Sequence, residues 1–117
     1  MRPRDARAAL QDALRAGEVV ARFIDGRDFA GYESDPMLCS AVERQLEVVG
    51  EALGSALGAD PELEARLPGV RGAIGIRNVL AHDYESVSAR LVWSAVNEDL
   101  PSLLAGVRGL LAEEAGS

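Results

Sequence analysis

Arg77, His82 and Tyr84 stand within IRNVLAHDYESV, residues 76–87, a stretch that holds the single histidine of the chain and one of its two tyrosines. An imidazole ionises near pH 6.5, roughly, so a histidine can give or take a proton under ordinary conditions. One imidazole cannot run both halves of an acid–base reaction in the same step. A guanidinium offers a planar fork of N–H donors that suits the oxygens of phosphate or carboxylate. An arginine five residues before the lone histidine arises by accident roughly one time in ten. Adding Asn78 after the arginine and Tyr84 two residues after the histidine lowers that to roughly 4 × 10⁻⁵. The blander readings are that Arg77 pairs with a glutamate such as Glu51 and that Tyr84 anchors a loop.

These side chains need a scaffold, and the sequence points to a helical one. The chain has 117 residues, 48% of them apolar and only 4% aromatic. Ala, Leu, Arg, Glu and Val dominate, and most of these keep their rotamer freedom in helices. The length fits one domain, residues 1–117, small enough that oligomerisation would add useful buried surface. Cys39 is the sole cysteine, so an intrachain disulfide is excluded and a thiol-rich zinc site cannot be assembled. No run is long and apolar enough to span a bilayer, and the N-terminus lacks the apolar core of a signal segment. A soluble, cytoplasmic protein with no membrane contact is expected.

The net charge is −7, which argues against broad adhesion to nucleic acid. The distribution is uneven, however. Between Arg66 and Arg90, four arginines (66, 71, 77 and 90) face only Asp83 and Glu85. The chain has no lysine, so every fixed side-chain cation is a guanidinium.

Four main helices are predicted. The first covers about residues 4–25, with Leu10, Leu14, Val20, Phe23 and Ile24 on one stripe. DGRDFAGYESDP ends it with turn chemistry, and Asp35-Pro36 supplies an N-cap followed by proline at the first helical position. The second runs to about residue 57, with Leu38, Val42, Leu46, Val49, Leu53 and Leu57 inward; Glu43, Glu47 and Glu51 form a row expected to be solvated. Asp60-Pro61 starts a short extra helix. Pro68 opens the third, where Val70, Ile74 and either Leu80 or Ala81 face inward and Gly72 and Gly75 require some compensating use, either close packing or a ligand. Ser88 caps the fourth, which runs to about residue 113 with Leu91, Val92, Ala95, Leu103, Val107 and Leu110 inward and a kink near Leu100 caused by Pro101. Trp93 is expected in the core or an interface. The architecture is all-α, an antiparallel four-helix bundle.

RNVLAHDY resembles the Arg-x4-His-x-Tyr motif of HepT-like toxins, a branch of the HEPN superfamily. AVERQLEVVGEAL, residues 41–53, is similar to the family's Gly-Glu-Ala signature in helix two. VWSAVNEDLPSLL, residues 92–104, is similar to its Val-Trp start and Asp-Leu-Pro end of helix four. The match spans about residues 41–107; the aromatic that family members often place shortly before helix three is absent from RLPGVRGAIGIRN.

The resemblance implies a metal-independent ribonuclease, the toxin of a type VII-like toxin–antitoxin pair, acting on RNA such as tRNA or mRNA with no cofactor. In such cleavage the 2′-OH attacks the adjacent phosphate, which calls for a base, an acid at the leaving 5′-oxygen and a cation for the phosphorane charge. Arg77 and His82 would be catalytic, with Asn78, Asp83 and Glu51 in support. A homodimer apposing two copies of helix three would supply the second imidazole. On an unbroken helix, positions 77 and 82 lie about 140° apart, so the helix is expected to loosen near Ala81 or end at His82. The resemblance further implies that an MntA-type minimal nucleotidyltransferase antitoxin adds AMP to Tyr84. Two alternatives stand: a non-catalytic HEPN-like nucleotide-binding module that partners a nucleotidyltransferase, favoured by the acidic pI, and a plain helical dimerisation protein.

Overall fold

The computed structural model describes residues 4–82 and 88–115, and these form an all-α bundle without strands. Helix α1 spans Arg4–Ile24. A turn at Gly26, whose φ of 74° suits a residue without a Cβ, leads into the short α2, Phe29–Glu33. The sequence reading treated this stretch as a turn. Asp28 instead caps one helical turn, its Oδ1 accepting the Gly31 N–H at 2.8 Å.

Helix α3 runs Pro36–Ala59 and begins as predicted, with Pro36 in the first turn and Asp35 Oδ1 accepting the Leu38 N–H at 3.1 Å. That bond, followed by Arg27, holds the Asp35 carboxyl below its usual range. The connector contains α4, Leu63–Arg66, and α5 follows as Val70–His82. Ser88 caps α6, Ala89–Ser94, its Oγ accepting from the Leu91 N–H at 3.0 Å.

Pro101 acts just upstream of itself. A proline ring clashes with the carbonyl four residues earlier and offers no N–H to it. The chain relieves this by widening into a π-helical segment, Ala95–Asp99, in which the Leu100 N–H reaches back five residues to the Ala95 carbonyl. Helix α7, Leu100–Ala115, then completes the fourth arm.

Helix α3 is the central strut, packed along α1 on one side and along α5 on another, while α7 closes against α1. Leu10, Val20, Val42, Val49, Leu53, Val92 and Val107 are fully buried, each contributing about 1.5–3 kcal/mol through loss of apolar surface from water. In the third arm, Leu80 is buried and Ala81 exposed. Leu91 departs from expectation at 46% exposure, because it lies a full 100° step round α6 from the buried Val92. Phe23 is also exposed rather than inward.

The glutamate row is not uniformly solvated. Glu43 and Glu47 are half-buried and only Glu51 is exposed. Burial first, and the neighbouring Glu47 charge second, push the Glu43 carboxyl up from its usual range. Tyr32 is wholly buried against Trp93, with ring centroids 5.2 Å apart. Its hydroxyl meets no hydrogen-bond partner among the described residues, and the Cys39 thiol nearby donates instead to the Tyr32 carbonyl at 3.2 Å. Burial, then the proximity of Cys39 and Glu43, drives ionisation of that hydroxyl far above its ordinary range.

Candidate active site

The side chain of Arg77 is placed by a glycine on another helix. A Cβ at Gly50 would collide with Arg77 Cβ and lie 2.9 Å from both Arg77 Cγ and the Ala73 carbonyl oxygen. Helices α3 and α5 therefore cross with almost no space between them, and the arginine stem lies across the place where a larger residue would stand. Arg77 is half-buried as a result, and its Nη1 donates to Asn78 Oδ1 at 3.2 Å. That contact leaves most of the guanidinium fork uncommitted.

No carboxylate pairs with Arg77 among the described residues. Glu51, the partner considered from sequence, is exposed on the side of α3 that faces α1, where it lines a groove with Asp12, Arg15, Gln45 and Ser55. The geometry follows from the helix itself: Gly50 points at α5, so its neighbour is turned about 100° away.

His82 is exposed on the last described turn of α5. The helix keeps its form through Ala81, so it does not loosen there, and the bound of α5 falls at His82, the other place expected. Arg77 packs against α3 while His82 projects from another side of the same helix, and the structure does not gather the two side chains on one face. Asp83 and Tyr84 lie outside the described residues. Among the described residues no group of His, Cys, Asp and Glu could hold a metal ion, and no helix is long and apolar enough to cross a membrane.

Gly72 and Gly75 have a different setting from Gly50. A Cβ at either position would meet nothing within 4 Å. Gly72 borders a groove of about 450 Å³ between α5 and the π segment, lined by Leu46, Ala73, Ile76, Leu100 and Leu103 with the exposed Glu98 and Asp99. Close packing is therefore not the use of Gly72 or Gly75; it is the use of Gly50. The available signal was Gly50 itself, a helix-weakening residue inside the most regular amphipathic stripe of the chain.

The arrangement is that of a small all-α module presenting, from one helix, an exposed histidine and an arginine with no carboxylate partner among the described residues. Its family is defined by comparison. The model of the family described as "Ribonuclease HepT-like" matches residues 13–109, and the chain belongs to that family. It is 31% identical over 105 residues to the "Putative RNase MJ1380" of Methanocaldococcus jannaschii, covering 88% of this chain and 94% of the relative. It is 30% identical over 108 residues to the "Putative RNase TTE0752" of Caldanaerobacter subterraneus subsp. tengcongensis, covering 92% and 96%. The "Probable ribonuclease HepT" of Thermococcus cleftensis is 33% identical over 94 residues, covering 80% and 84%. No solved structure gives a significant match.

Proposed function

We propose that the protein is a metal-independent endoribonuclease, the toxin of a type VII-like toxin–antitoxin pair. The observation that carries this reading is the state of Arg77: in a chain of the HepT-like family, its side-chain stem is packed across Gly50 and its guanidinium meets no carboxylate among the described residues. In the proposed reaction the 2′-OH of RNA loses its proton to a base and its oxygen bonds to the adjacent phosphorus. The bond from phosphorus to the 5′-oxygen breaks, and that oxygen takes a proton from an acid. Arg77 neutralises the charge gathered on the phosphoryl oxygens, with Asn78 steadying its fork.

His82 supplies base or acid, and a second copy of the chain supplies the other imidazole. The divergence of Arg77 and His82 within one chain supports a site shared between two. Asp83 is assigned to orienting the imidazole, and Glu51 acts at most from a distance. An MntA-type antitoxin transfers AMP from ATP to the Tyr84 oxygen, releasing pyrophosphate; the bulky anion then occupies the cleft and competes for Arg77.

The test is RNA cleavage by purified protein. Arg77→Ala and His82→Ala each lose at least about 10²-fold in rate, and mixing the two variants restores part of it through mixed dimers. Activity of an enforced monomer overturns the shared site. Intact mass after incubation with antitoxin and ATP should rise by one AMP, and AMP addition that persists in Tyr84→Phe overturns the modification site. The charge of −7 favours a second reading, a non-catalytic module that only binds nucleotide for its partner; wild-type protein that binds RNA or nucleotide without cleaving would establish it.

A further inference from the structure

Charge pairing separates two groups of arginines among the described residues. Arg15, Arg27, Arg44, Arg66, Arg71 and Arg108 each lie within 3.5 Å of a carboxylate oxygen. Arg22, Arg77 and Arg90 meet none among the described residues. The local surplus of charge seen in the sequence is therefore narrower than it looked, since Glu113 takes Arg66 and Glu64 takes Arg71.

Topology places the unpaired cations along one direction. Helices α1 and α3 are packed neighbours joined through the short α2, and α3 and α5 are packed neighbours joined through the short α4 connector, so each pair runs antiparallel. The last turn of α1, the whole of α2, the start of α3 and the last turn of α5 consequently lie toward the same end of the bundle. Helix α6 begins there too, because α6 packs on α2. His82 lies about 7.5 Å beyond Arg77 along the α5 axis toward that end. Arg90 stands in the first turn of α6, which begins at this end.

Arg90 is also held. Its guanidinium carbon stands 3.8 Å from the centroid of the Phe29 ring, and Phe29 rests on Trp93 with ring centroids 6.4 Å apart. Stacking on an aromatic face fixes the plane of a guanidinium without spending its N–H donors, which all point outward from the plane's edge. Asp25, Asp28 and Glu33 occur in and beside α2, yet none of them pairs with Arg90. The result is an exposed fork, stacked on an aromatic face and without a carboxylate partner among the described residues, in a strongly acidic protein.

We propose that Arg90, backed by Phe29, forms a subsite for single-stranded RNA, taking a phosphate that flanks the one held by Arg77. Stacked arginines beside aromatic rings suit this role because they engage the backbone of any sequence. The inference rests on the ribonuclease reading, and its test separates the two. Binding of a fluorescent 12-nucleotide single-stranded RNA is measured by anisotropy in a His82→Ala background across a range of salt concentrations, and cleavage is measured in the wild-type background.

Arg90→Ala should weaken binding about tenfold and reduce the slope of log K against log salt by about 0.7, the value for one lost phosphate contact on a single strand. In cleavage it should raise KM with kcat kept within about twofold. Phe29→Leu, which keeps the charge and removes the platform, should weaken binding by a smaller factor, about threefold. Arg71→Ala, which removes an arginine already paired with Glu64, should change neither affinity nor slope. Wild-type protein that cleaves RNA while Arg90→Ala keeps its affinity and salt slope overturns the subsite alone. Wild-type protein that neither binds nor cleaves the RNA overturns the subsite together with the ribonuclease reading.

Discussion

Helix α5 has two sides that differ in how they are packed. Against α3 it is shut: Gly50 leaves no room for a methyl group, and the Arg77 stem fills the crossing. Toward the π segment it is open, with Gly72 and Ala73 facing a groove of about 450 Å³. The closed side fixes the backbone from which the proposed chemistry is presented, and the open side leaves small residues without neighbours. A glycine in a helix thus has no meaning of its own until the facing surface is known.

The largest effect should come from breaking the closed side. Gly50→Ala must push α5 outward, since the Ala73 carbonyl is backbone and cannot rotate away. It should cost about 1–3 kcal/mol in denaturant unfolding. By shifting Arg77 it should lower RNA cleavage by up to about 10²-fold. Unchanged stability and cleavage in Gly50→Ala would remove the claim that this crossing positions the arginine.

An intermediate effect of opposite sign is expected where space is free. Gly54→Ala, one turn farther along α3, and Gly72→Ala, on the open side of α5, should each stabilise the fold by about 0.5–1 kcal/mol. The contrast between Gly50 and Gly54 is the sharper one, because both lie on the same helix and receive the same methyl group. A loss at Gly54 matching that at Gly50 would show that helix propensity and local space do not account for either.

The smallest effect concerns Glu43, which lies on the same stripe of α3 as Gly50, seven residues earlier. Because burial raises its folded-state pKa, the folded protein holds a proton that the unfolded chain has released. Stability therefore falls as pH rises from the ordinary glutamate range through the folded value, and the full cost remains at neutral pH. Glu43→Gln should raise the thermal midpoint at pH 7 and leave it unchanged at about pH 3, where the carboxyl is protonated in both states. A gain of equal size at both pH values would point to packing instead of ionisation.

Much of the scaffold was legible before any coordinates. Asp35-Pro36 and Ser88 announced two helix starts through local hydrogen-bond chemistry, and Pro101 announced the disturbance that became the π segment. The α3 stripe from Leu38 to Leu57 was readable because 3.6-residue periodicity is a property of the chain alone. The short α2 was not, since a five-residue helix lacks a periodic signal and depends on Asp28 capping and on Tyr32 burying itself beside Trp93. The glutamate row was misjudged for a related reason: even spacing places three carboxylates near one face without saying which of them a neighbouring helix will cover.

By itself the sequence determined which groups are available: one imidazole, a guanidinium five residues before it, a tyrosine two residues after it, and helices whose ends are marked by Asp, Ser and Pro. These are local matters, set by covalent spacing and by bonds within a single turn. Only the tertiary structure decided which arginines are free, which glycine is indispensable and which glutamate is costly. Those answers depend on what lies opposite, and contact between α3 and α5 or between Arg90 and Phe29 joins residues too far apart in the chain for periodicity to connect.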